Sequence, residues 1–124
     1  MSRYPTGFNA SPRTAQPARR LACRQGPTAA ATLYDCPSSI STAISAIVLA
    51  NTTGSAVAIR LFHAIPGETF VAANAIAYDL SIAASSVVLL EIAMQLSPGD
   101  RIGYYAATGS AVTFTVYGRE SPAS

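Results

Sequence analysis

The chain has 124 residues, half of them hydrophobic, with 11% charged, no Trp and a net charge of +2. That length suits one domain with one core, and a composition rich in Ala, Val, Ile, Leu, Ser and Thr excludes a disordered chain. No stretch reaches the roughly 18 to 20 apolar residues of a membrane-crossing helix, and the N-terminus lacks an apolar run of signal-peptide length, so export through a standard signal is not expected.

The charge is divided. Arg3, Arg13, Arg19, Arg20 and Arg24 fall in the first 24 residues, without an acid among them. The remainder carries Arg60, Arg101 and Arg119 against six acids, a net of −3, and Lys is absent throughout. Residues 1–28 are expected to form an extended arm. Pro5, Pro12, Pro17 and Pro27 remove backbone donors and push their predecessors toward extended geometry, which rules out a helix or a central strand. Tyr4, Phe8 and Leu21 interrupt the arm with side chains that gain by burial. Scattered aromatic and Arg anchors suit a segment lying along another surface. The candidate partner-binding residues are therefore Arg3, Tyr4, Phe8, Arg13, Arg19, Arg20 and Arg24.

Residues 29–120 read as strands separated by turns, the pattern of an all-β chain. Ala31 to Cys36 is a short strand stopped by Pro37. Ile40 to Ala50 follows, with Ile40, Ile44, Ala46 and Val48 on one face. Asn51 to Gly54 is a turn. Ser55 to Ile65 places Val57, Ile59 and Leu61 inward and Arg60 outward. Thr69 to Asn74 reads as a loop, and Ile76, Tyr78, Leu80 and Ile82 as the inward face of a fourth strand. The run from Val87 to Leu96 fits either a helix capped by Ser85 or Ser86 or a strand; its β-branched residues favour the strand. Pro98-Gly99-Asp100 turns the chain into Arg101 to Ala106, with Ile102 and Tyr104 inward. Val112, Phe114 and Val116 alternate with Thr113, Thr115 and Tyr117 in the last strand, the period-two mark of a half-buried strand. The tail 121–124 is expected to be disordered. Seven strands give a single antiparallel β-sandwich, with jelly-roll and immunoglobulin-like orders both open.

Little in the chain points to chemistry. His63 is the single histidine, and Cys23 and Cys36 read as free or buried thiols with no redox spacing. No metal-ligand cluster, nucleophile elbow or phosphate loop is present in the sequence, so no cofactor, metal or catalytic residue is assigned. The arm's arginines suit phosphates or carboxylates; the acidic body and the spacing of the charges favour a protein partner over nucleic acid. Tyr34, Tyr105 and Tyr117 are the candidate exposed aromatic surface, a weak signal for sugars without Trp.

Residues 30–120 resemble small β-sandwich virion structural proteins of tailed bacteriophages. The likeness rests on Tyr34-Asp35-Cys36-Pro37, on AISAIVLANT, on the Leu96–Ile102 turn LSPGDRI and on the closing VTFTVYGRE. It departs from the family at Asp35-Cys36-Pro37, where a small-residue turn is usual. The resemblance implies a non-enzymatic capsid decoration or cement protein located in the virion and assembled in the host cytoplasm. It also implies binding to the major capsid protein or other virion proteins, and a homo-oligomer with a trimer favoured. A tail-fibre or spike receptor- or glycan-binding module and a head–tail connector component are the alternatives.

Overall fold

A computed structural model describes residues 17–123. They form nine strands: β1 (Arg19–Gln25), β2 (Ala31–Asp35), β3 (Ile40–Asn51), β4 (Val57–Ala64), β5 (Ala75–Ile82), β6 (Val87–Leu90), β7 (Met94–Leu96), β8 (Arg101–Ala106) and β9 (Val112–Pro122). A turn of 3-10 helix, Ala72–Asn74, leads into β5. One sheet runs β1-β9-β3-β6, with β7 also on β3; the second runs β2-β8-β4-β5. All pairings are antiparallel, and they nest: β4 with β5, β3 with β6 and β7, β2 with β8, β1 with β9. The chain is thus one long hairpin, bent after β4 and rolled so that its arms alternate between sheets. That is the jelly-roll order, one of the two that the sequence leaves open.

The core lies between the sheets and is built on the alternation expected of β9. Val112, Phe114 and Val116 are fully buried there. Phe114 meets Tyr104 of β8 edge to face, ring centroids 5.1 Å apart, a favourable aromatic geometry across the two layers. Ile59 and Leu61 from β4, Ile82 from β5 and Ile102 from β8 complete the cluster.

Three departures from simple alternation reshape the expected faces. In β3 the register with β9 slips between Ile44 and Ala46, so Ser45 is an extra residue. A bulge of one residue flips every side chain beyond it. Thr42 and Ile44 point inward before it, and Ile47, Leu49 and Asn51 after it; Ala46 and Val48, expected alongside Ile44, are only half-buried. The same bulge explains why the single strand expected from Val87 to Leu96 is two. Leu90 pairs with Ile47 and Met94 with Ile44, so three residues, Glu91 to Ala93, face only two on β3 and leave the ladder. The segment is nonetheless extended, not helical. In β5, Ile59 pairs with Leu80 but Arg60 with Tyr78, which leaves Asp79 as a bulge at φ +58°. Tyr78 is turned outward by it, half exposed rather than in the core as alternation suggests.

The turns are fixed by buried polar side chains. Asn51, 3% exposed, donates from Nδ2 to the carbonyls of Ser55 (2.8 Å) and Ile82 (3.0 Å), while its Oδ1 accepts from the Thr53 N–H at 2.9 Å. Every polar atom of the buried amide is engaged, as burial requires. Asp100 closes the other end: its Oδ2 accepts the Ser97 N–H at 3.1 Å and lies 3.0 Å from His63 Nε2. His63 is therefore a half-buried buttress of the Pro98-Gly99-Asp100 turn.

Candidate functional site

The arm expected over residues 1–28 divides. Pro17 and Pro27 bracket a proline-free stretch, and there the backbone keeps every donor; β1 forms along it and pairs with β9 at the edge of the first sheet. The prolines lie outside the ladder and do not interrupt it. The boundary expected at residue 28 is therefore displaced: Arg19–Gln25 belongs to the sandwich. Gly26 fixes the end of β1, donating to Val112 O at 2.8 Å and accepting from Ser110 N at 3.1 Å. A Cβ at Gly26 would fall 2.7 Å from Ala106 Cβ, so a larger residue would prise the strand away. Of the candidate arm residues, Arg3, Tyr4, Phe8 and Arg13 lie outside the described residues. Arg19, Arg20 and Arg24 sit on β1, exposed along its edge.

At the N-terminal end of β1 a clasp joins four strands. Arg19 Nη2 donates to Glu120 Oε1 on β9 at 2.5 Å. The other carboxylate oxygen accepts the Tyr34 hydroxyl at 2.5 Å, and Tyr34 in turn lies 2.9 Å from Thr42 Oγ1. With the phenol proton given to Glu120, the Thr42 hydroxyl is the donor to Tyr34. Cys36 Sγ donates to Ile40 O at 3.2 Å beside it. Burial first, then the Glu120 carboxylate, pushes the Tyr34 hydroxyl well above its ordinary value, and burial raises the Cys36 thiol likewise. Both groups are held neutral. The arrangement therefore orients the start of β1 rather than activating a nucleophile.

The candidate aromatic surface is not one surface. Tyr34 is 7% exposed and belongs to the clasp, because a register slip between Thr32 and Tyr34 turns both Leu33 and Tyr34 inward. Tyr117, exposed, lies on the outer face of the first sheet, and Tyr105 on the outer face of the second. Opposite faces of a sandwich cannot contact one ligand.

Tyr105 instead joins a cluster that alternation does not reveal. The Arg60 guanidinium lies 4.1 Å from the Tyr78 ring centroid and 4.7 Å from that of Tyr105. Its Nε donates to Asp79 Oδ1 at 2.7 Å and Nη2 to Oδ2 at 3.3 Å, the forked contact that Arg makes with carboxylates. That contact holds the Asp79 carboxyl below its ordinary range. The cluster needs the β5 bulge, since only the slipped register brings Tyr78 and Asp79 together around Arg60. The sequence signal available was a lone Arg opposite a Tyr-Asp pair.

Cys23 is exposed and Cys36 buried, and both are free. Among the described residues no cluster of His, Cys, Asp or Glu is able to hold a metal ion, and no helix is long and apolar enough to cross a membrane.

No protein-family model matches the chain, and no curated protein matches it in sequence. Among solved structures it is similar to a chain of the Bacillus endospore appendages, described as a novel family of disulfide-linked pili. The identity is 13% and the TM-score 0.53, over 96% of this chain and 100% of that one. It is also similar to a chain of infectious bursal disease virus Gx strain, at 13% identity and a TM-score of 0.43, over 93% of this chain and 36% of the other. The appendage likeness is one of fold, spanning both chains from end to end. The viral likeness spans about a third of its counterpart and carries no weight.

Proposed function

We propose that this chain is a non-enzymatic structural subunit of a larger assembly. In the finer reading it is a bacteriophage capsid decoration protein that binds the major capsid protein through its N-terminal arm. The observation that carries the reading is the geometry of β1. An arginine-bearing strand is clasped to the sheet edge by Arg19 and Glu120, which fixes the start of β1 on the body. The preceding 16 residues add two arginines, two aromatic residues and no acid. Anchoring by such an arm gains affinity through multivalency across neighbouring subunits and requires no catalytic group. Similarity to an appendage protein from a family of disulfide-linked pili supports a body able to serve in assemblies.

Deleting residues 1–16 tests this reading. The clasp and β1 lie beyond the deletion, so the circular dichroism spectrum and melting temperature should be retained while attachment to particles is lost. A truncated chain that still attaches at full occupancy would overturn the proposal.

A further inference from the structure

On the outer face of the second sheet, the segment after β4 folds back over the strands and leaves a cleft. Phe70 lies on Gly103, where a Cβ would fall 2.4 Å from its ring, and packs against Phe62 with centroids 5.8 Å apart. Asn74 holds the segment down, accepting the Val71 N–H at 3.1 Å and donating to Thr69 O at 2.8 Å. Between this flap and the Arg60 stack is an open space of about 180 Å³, walled by Phe62, Phe70, Val71, Tyr78, Tyr105 and the Arg60 guanidinium. Val71 and Tyr78 are about half exposed, at 48% and 50%, an unusual state for two large apolar groups sharing one wall. A dry cavity of about 150 Å³ accepts a benzene ring, so the cleft has room for one aromatic side chain. Its walls are preorganised: Arg60 is locked between two rings and a carboxylate, with little rotamer freedom left to lose on binding.

We infer that this cleft receives an aromatic residue of the N-terminal segment, Tyr4 or Phe8, from a second copy of the chain. The inference rests on the reading that residues 1–16 engage a neighbour, and it names their seat. Three observations favour this occupant. The segment supplies aromatic residues at two positions, and Tyr, Phe and Arg are the residue types that anchor interfaces. Charge is also compatible: Arg60 is already paired with Asp79, and beside the cleft Glu68 balances Arg101, which lies over the Phe70 ring, so Arg3 next to Tyr4 meets no uncompensated cation. Finally, the chain enters β1 on the edge of the first sheet, whereas the cleft lies on the outer face of the second. Tyr4 stands 13 residues before Pro17, a separation of about 40 Å when extended, which is ample to reach a neighbouring body.

Photo-crosslinking in the full-length chain tests the inference. A benzophenone amino acid is placed at position 4 or, separately, at position 8, and isotope-labelled and unlabelled chains are mixed before irradiation. The expected result is an inter-copy crosslink mapping to residues 60–78 or to Tyr105. Tyr78→Ala should reduce its yield by about tenfold, the loss of one interface anchor, without lowering the melting temperature. Crosslinks confined to other surfaces, to the same copy or to another protein overturn the inference, as does a yield that Tyr78→Ala leaves unchanged. Binding of a glycan that is lost on Tyr78→Ala, with no crosslink between copies, assigns the cleft to a sugar and also overturns it. If deletion of residues 1–16 abolishes attachment while the crosslink maps elsewhere, the structural role stands and only the seat is wrong.

Discussion

Tyr34 illustrates how much a single side chain carries in this fold. Its hydroxyl is buried, yet both of its hydrogen-bonding roles are filled, by Glu120 and Thr42. The unfolded chain releases this proton near pH 10, whereas the folded chain holds it to higher pH. The folded value is the raised one, so the stabilisation is complete below about pH 10 and is lost progressively above it. Urea unfolding across an alkaline series should therefore show stability falling above that pH, with a shallower fall in Tyr34→Phe. The same variant should cost about 1 kcal/mol at neutral pH, where only the hydrogen bonds are lost. An unchanged alkaline slope would refute the assignment. Tyr34 was a candidate exposed aromatic and alternation placed Tyr78 inside, and both are reversed. In each case a bulge, legible only once the partner strand is known, shifts the register by one. Tyr104, on a strand without such a slip in its pairing with β4, was legible as a core residue.

Among the elements, β9 holds an interior place in the first sheet, pairing with β1 on one side and β3 on the other. Its central residues, Val112, Phe114 and Val116, follow the period of two, and their burial could be read directly from the sequence. Gly118 could not. It stands opposite Ile44 beside the β3 bulge, where a Cβ would fall 2.4 Å from the Ala43 carbonyl oxygen and 3.1 Å from Ile44 Cα. Backbone offers no rotamer by which to yield, so Gly118→Ala should displace β3 from β9 and cost about 1 to 3 kcal/mol in the manner of an overpacked core. Tyr117→Ala, next to it but exposed, should stay within about 0.5 kcal/mol. Equal midpoints for the two variants in chemical denaturation would show that the close approach is relieved at no cost. β1 was hidden for a different reason: the prolines around it suggested an arm, but they flank the strand and do not enter it.

At the scale of the whole molecule, the two sheets present different surfaces. The first ends in the arginine edge of β1 on one side and in β6 on the other, where Val87 and Leu89 are 66% and 55% exposed. Open edges with exposed apolar residues are surfaces that assemblies use and that isolated proteins usually protect. The second sheet carries the aromatic cleft. A body with several unlike surfaces suits a subunit with several neighbours. The nested hairpin also dictates when the body comes into being. The strand that joins β1 to β3 follows all the other strands in chain order, so until β9 is made β1 has no partner and β3 lacks the neighbour on one side. Closure of the first sheet is then dominated by distant pairings, and refolding should be slow, on the order of milliseconds to seconds. A nascent chain arrested after Ser110 should remain as sensitive to protease as the unfolded protein, and should become resistant only when Val112–Pro122 has cleared the exit tunnel. Resistance at the earlier arrest point would mean that the sheet can close around a missing centre.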